Sequence, residues 1–97
     1  MKEWQKPLYK EIEQEWGVES QIDQTIEEMG ELIQALIKLR RTKDGPKKAH
    51  MKVWDNVHEE IADVENMLNQ LKAMFDGELA EKYRTKKLKR TQKRMKK

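Results

Sequence analysis

Two pairs of carboxylates in this 97-residue chain stand three positions apart: Glu28 and Glu31 in the run EEMGE, and Glu60 and Asp63 in the run EEIAD. On a helix this spacing points both acids of a pair the same way. A third pair, Glu78 and Glu81, shows that spacing alone decides nothing. Glu78 follows Asp76 in what reads as a first helical turn, where exposed N–H groups favour negative charge. The first two pairs differ in their surroundings. At about 100° per residue, Glu60 falls among Val53, Val64, Met67 and Leu71, and Asp63 lies beside Met67 and Met74. Glu28 lies close in angle to Leu32, Ala35 and Leu39, with Glu31 at the edge of that strip. A carboxylate entering a packing face costs roughly several kcal/mol unless it is paired or binds a metal. The nearby bases Lys38, Lys52 and Lys72 point elsewhere on these wheels. Four carboxylates in a chain without cysteine describe a hard oxygen site suited to Mg²⁺ or Mn²⁺ rather than zinc. The candidate ligands are Glu28, Glu31, Glu60 and Asp63. Gly30, between the first two, either gives a phosphate room to approach or marks a helix crossing.

The elements that must position these acids can be read from punctuation and periodicity. Pro7, then Leu8, Ile12 and Trp16 before Gly17, predict a short first helix. Ser20 with Asp23 resembles a capping box, and Ile22, Ile26, Met29, Ile33, Leu36 and Ile37 form one apolar face of a long helix ending near Arg41. Asp44-Gly45-Pro46 predicts a turn. A second long helix follows, with Val53, Trp54, Val57, Ile61, Val64, Leu68, Leu71 and Phe75 on its apolar side. Asp76 is placed to cap a basic last helix containing Leu79, Tyr83, Leu88 and Met95. The expected fold is a single all-α domain over residues 1–97, a helical bundle with two long antiparallel helices. The short turn between those helices lets the two acidic pairs face each other.

A chain of this length buries only about 60 to 65 % of its unfolded surface, and 40 % of its residues are charged, so completion of the bundle by oligomerisation is expected. The absence of cysteine excludes disulfides and thiol nucleophiles and fits a reducing compartment. With no long apolar run, and with MKEWQKPLYK lacking a signal-peptide core, the expected location is the cytoplasm. Residues 1–81 hold all 18 acids against 11 Lys and Arg, a balance of −7. Residues 82–97 hold 10 Lys and Arg and no acid. Such a split points to an acidic site, an anionic ligand or a nucleic-acid-binding tail.

The pattern Glu27-Glu28-x-x-Glu31 followed by Glu60-x-x-Asp63 resembles the signature of the MazG-like, all-α nucleoside triphosphate pyrophosphohydrolases. The resemblance runs from about Trp16 to Arg94, including QIDQTIEEMGELIQAL and NVHEEIADVENMLNQL, and the five acids are its diagnostic part. It implies a homo-oligomeric bundle, dimer or tetramer, that holds Mg²⁺ through Glu28, Glu31, Glu60 and Asp63. It also implies hydrolysis of an NTP or dNTP to the monophosphate and pyrophosphate. Lys87 and Arg90, with Arg94 a turn on, resemble the downstream basic cluster that would grip phosphates, although Thr91 stands where some members carry asparagine. Glu27 and Glu59, each beside a candidate ligand, are the candidates for orienting the attacking water.

Trp16, Trp54 and Tyr83 have the chemistry to stack a base, but in a small bundle such residues are expected mainly in the core. His50 and His58 do not pair at ligand spacing and read as surface residues. A competing reading is a non-enzymatic helical oligomer whose tail binds nucleic acid. A third is a structural oligomer in which the tail of one subunit neutralises the acids of another.

Overall fold

The computed structural model describes residues 2–96, with helices α1 at Gln5–Trp16, α2 at Val18–Thr42, α3 at Lys47–Met74 and α4 at Gly77–Met95. No strand occurs among the described residues. Pro7 lies in the first turn of α1, where its missing N–H would have had no intrahelical partner. Gly17 takes φ 86°, its N–H closes α1 on the Glu13 carbonyl at 2.8 Å, and α2 starts one residue later. The Ser20–Asp23 capping box is therefore not used: α2 already runs through both residues, and no side chain caps its start. A glycine in the left-handed region makes the break in one residue and leaves no extended stretch for a cap.

The expected turn forms at Asp44-Gly45-Pro46. The Gly45 N–H donates to the Thr42 carbonyl at 3.0 Å, and Thr42 Oγ1 and His50 Nδ1 meet at 3.1 Å across the hairpin mouth. His50 is thus half-buried against the turn, whereas His58 is exposed as expected. Asp76 caps α4, its Oδ1 accepting the Leu79 N–H at 3.0 Å.

α2 and α3, about 37 and 42 Å long at 1.5 Å per residue, pack antiparallel along most of their lengths. Their seam repeats every seven residues, as a left-handed helix pair requires. From α2 it takes Gln21, Glu28 and Ala35 with Thr25, Leu32 and Leu39. From α3 it takes Val57, Val64 and Leu71 with Val53, Glu60 and Met67. The face of α2 against α3 is thus the narrower, partly polar strip that contains Glu28. The richer apolar face is left outside: Ile26 is 64 % exposed and Ile33 58 %, with Met29, Leu36 and Ile37 also exposed. On α3, Trp54, Ile61, Leu68 and Phe75 form a second exposed row at seven-residue spacing. Each row lies roughly a quarter-turn from the seam in the same rotational sense. Because the helices run antiparallel, both rows fall on one flank of the hairpin. Glu31 and Asp63 are rotated the other way, so the carboxylates open on the opposite flank.

α1 crosses α3 near its C-terminal end, with the buried Gln70 Nε2 donating to the Tyr9 carbonyl at 2.8 Å and the Tyr9 hydroxyl donating to Asn66 Oδ1 at 3.4 Å. α4 packs on α3 alone. It leaves beside Lys72 and Ala73, and with Lys6, Pro7 and Lys10 of α1 these residues line a shallow cleft. Every residue from 82 to 96 is exposed. Trp16, Trp54 and Tyr83 are exposed too, contrary to the expectation that they fill the core. Among the described hydrophobic residues only Tyr9, Ala35 and Val57 are buried. The radius of gyration is 16.8 Å, against about 12.5 Å for a compact domain of this length. None of the helices is long and apolar enough to cross a membrane.

Candidate metal centre

Glu28 of α2 and Glu60 of α3 occupy seam positions, seven residues from Ala35 and Met67 respectively, and meet halfway along the hairpin. With Asp63 they form a group in which one carboxylate oxygen from each residue lies within 4.8 Å of the others. Glu28 and Glu60 are half-buried and Asp63 is exposed at the rim. One oxygen of each glutamate, Oε2 in both, is buried with no hydrogen-bond partner. Two carboxylates at that separation repel by on the order of 3 kcal/mol at an effective dielectric of about 20. The ion pairs among the described residues are Lys6–Glu3, Lys10–Glu13, Lys72–Glu81 and Arg84–Glu81, and none of them reaches this cluster.

The donor set suits a small hard dication. Mg²⁺ binds oxygens at about 2.1 Å, so opposite ligands stand about 4.2 Å apart. Small side-chain adjustments bring the three oxygens within that reach, and the two orphaned oxygens would then have the positive partner they lack. Three protein carboxylates also leave coordination positions for water or phosphate oxygens, as Mg²⁺ sites commonly do.

Glu31 is exposed and lies outside the tight group. It nonetheless feels the group: the negative charge of Glu28 raises its carboxyl above the ordinary value, with further contributions from desolvation, Glu60 and Glu27. Glu31 therefore lies close enough to the triad to feel its charge without joining it. Glu27 and Glu59 are exposed on the polar sides of their helices. A Cβ on Gly30 would meet nothing within 4 Å, so no helix crosses there within the chain; at about 100° per residue the position lies on the side of α2 turned away from Glu28 and from α3, so it leaves no gap at the acids.

Comparison with family models, with curated proteins and with solved structures finds no match to this chain.

Lys87, Arg90 and Arg94 are not brought to the acids of their own chain. They lie on α4, which has no packing contact with α2. One participant was missed in sequence. Gln24 Nε2 donates to Glu28 Oε1 at 2.7 Å and leaves Oε2 as the free oxygen. Its i, i+4 spacing was the available signal.

Proposed function

We propose that the chain is a Mg²⁺-dependent nucleoside triphosphate pyrophosphohydrolase of the MazG-like kind, acting in the cytoplasm as a homo-oligomer. The observation that carries this reading is the meeting of Glu28, Glu60 and Asp63 across two facing helices, with a buried, unpartnered oxygen on each glutamate. Glu28, Glu60 and Asp63, with Glu31 beside them, would hold the dication. Bound there, Mg²⁺ supplies charge neutralisation toward a triphosphate and a bound water of lowered pKa. The exposed carboxylates of Glu27 and Glu59 orient the attacking water and accept its proton. The water oxygen bonds to the α-phosphorus, the bond from that phosphorus to the β-phosphate bridging oxygen breaks, and monophosphate and pyrophosphate leave. Lys87, Arg90 and Arg94 bind the outer phosphates of the triphosphate.

The homo-oligomer rests on the two exposed apolar rows. They share one flank and the heptad pitch of the seam, so a second hairpin can pack on the first as a four-helix bundle.

Product analysis with a panel of NTPs and dNTPs in Mg²⁺ tests the reaction. Wild-type protein should release monophosphate and pyrophosphate, and Glu60→Gln and Asp63→Asn should lose at least about a hundredfold in turnover. No turnover of any nucleotide, with Mg²⁺ leaving the melting temperature unmoved, would overturn the reading.

One observation favours a second reading. α4 is exposed along residues 82–96 and carries the basic excess, as a nucleic-acid-binding arm would. That reading requires binding to DNA or RNA that weakens steeply with salt and is lost on charge reversal in α4, and it offers no reason for acids in the seam.

A further inference from the structure

Within one chain, complementary charges are kept apart. The hairpin carries a carboxylate cluster that no lysine or arginine among the described residues reaches, and α4 carries the chain's basic excess with Glu81 as its ion-pair partner. α4 starts from the flank of α3 bearing Lys72 and Ala73, turned away from α2, and touches neither α2 nor α1 along a packed interface. Its own basic side chains therefore do not complete its own site. The two uncovered surfaces also lie on opposite flanks. A pair of hairpins packed through Ile26, Ile33, Ile61 and Leu68 still leaves both carboxylate flanks open. Those flanks are acidic, and each copy has a basic helix about 28 Å long projecting from its body.

We infer that α4 of one copy lies along the carboxylate flank of another copy and supplies there, in trans, the positive side chains that bind the substrate's outer phosphates. The inference rests on the reading of the site given above. Lys86, Lys89, Arg90 and Lys93 share one basic face of α4, with Lys87 and Arg94 at its edge. That face is the one turned to the acids and to the phosphates between them. Two distinct interfaces per chain, one apolar and self-complementary and one joining arm to acidic flank, generate a dimer of dimers.

The test mixes full-length ¹⁵N-labelled and unlabelled protein at equal amounts, allows subunits to exchange, and joins amines to carboxylates with a zero-length carbodiimide. Links between α4 lysines and the acids at 27, 28, 31, 59, 60 and 63 should be found, and about half should join a labelled to an unlabelled chain. Links of like isotope only would place α4 on its own hairpin and overturn the inference, as would the absence of any such link. A second arm mixes Glu60→Gln protein with a Lys87→Ala/Arg90→Ala/Arg94→Ala variant, each nearly inactive alone. In trans, about a quarter of wild-type activity returns, because half the exchanged pairs are mixed and each holds one intact site. No recovery, with wild type active and the subunits shown to exchange, would overturn the inference and leave the reaction standing. Mixed-isotope links in a wild type that hydrolyses nothing would instead overturn the enzymatic reading.

Discussion

Glu28 and Glu60 sit where the repeat of the helix seam calls for leucine or valine, and each keeps a buried oxygen without a partner. A seam that only held two helices together would gain by losing these charges, which gives an opposite-sign test. In EDTA, Glu60→Gln should raise the melting temperature by about 2 to 4 °C, since like-charge repulsion is relieved and the amide can donate to Glu28. In millimolar Mg²⁺ the order should reverse, because wild type gains ligand-linked stability that the variant cannot. Thermal scans under the two conditions check this, and a variant that stays more stable with Mg²⁺ would contradict the metal reading. The acids were legible in sequence because Glu60 interrupts an apolar arc. Which oxygen was left free was not, since that depends on the Gln24 side chain folding back on Glu28.

At the scale of elements, helix existence followed from periodicity, but the choice of packing face did not. The strongest apolar face of α2, through Ile26 and Ile33, does not meet α3, and the strip of Gln21, Thr25, Glu28, Leu32 and Ala35 does. The short turn explains the difference: Gly45 and Pro46 fix how α3 leaves α2, and that direction selects the strip. Thr25 fits the seam because its hydroxyl donates back to the Gln21 carbonyl at 2.7 Å. At the other end, α4 is tied to α3 by Glu81, which pairs with Arg84 and with Lys72 at 3.7 Å. The Arg84 hydrogen bond, helped by Lys72, holds the Glu81 carboxyl below its ordinary value. A lowered folded-state pKa means that the folded state binds fewer protons than the unfolded one. The stabilisation is therefore present above the ordinary carboxylate range and is lost as pH falls through the folded value. Backbone ¹³C shifts of residues 78–84 should report loosening of the α4 start as pH falls from 7 toward about 3, below the ordinary glutamate value near 4.3. Glu81→Gln should show the loosened state at neutral pH and no further change of this kind.

The molecule is expanded for its length, with a radius of gyration of 16.8 Å and three buried hydrophobic residues among those described. Composition pointed the same way, since 40 % charge in 97 residues leaves little for a private core. Where the uncovered surface would lie could be read only once the packing face of α2 was known. If a second hairpin covers that flank, stability depends on protein concentration. For two chains unfolding together, the melting temperature should fall by about 3 °C per tenfold dilution. Ile33→Lys, at the centre of the α2 row, should yield monomers by light scattering and remove most of that dependence. A melting temperature flat from 100 μM to 1 μM in wild type, a range set by ordinary assay sensitivity, would mean that the chain is stable alone.

The turn at Asp44-Gly45-Pro46 also sets an order of events in time. Thr42 and His50, eight residues apart, meet at the mouth of the hairpin, whereas Glu28 and Glu60 are separated by thirty-two. Closing the longer loop costs more chain entropy, so the seam zips outward from the turn and its acids come together only after the helices near the turn have docked. Like charges meeting late contribute little to the barrier on the way in. A cation that binds the finished cluster therefore acts mainly on the reverse step, lengthening the lifetime of the folded hairpin while leaving the speed of its formation almost unchanged.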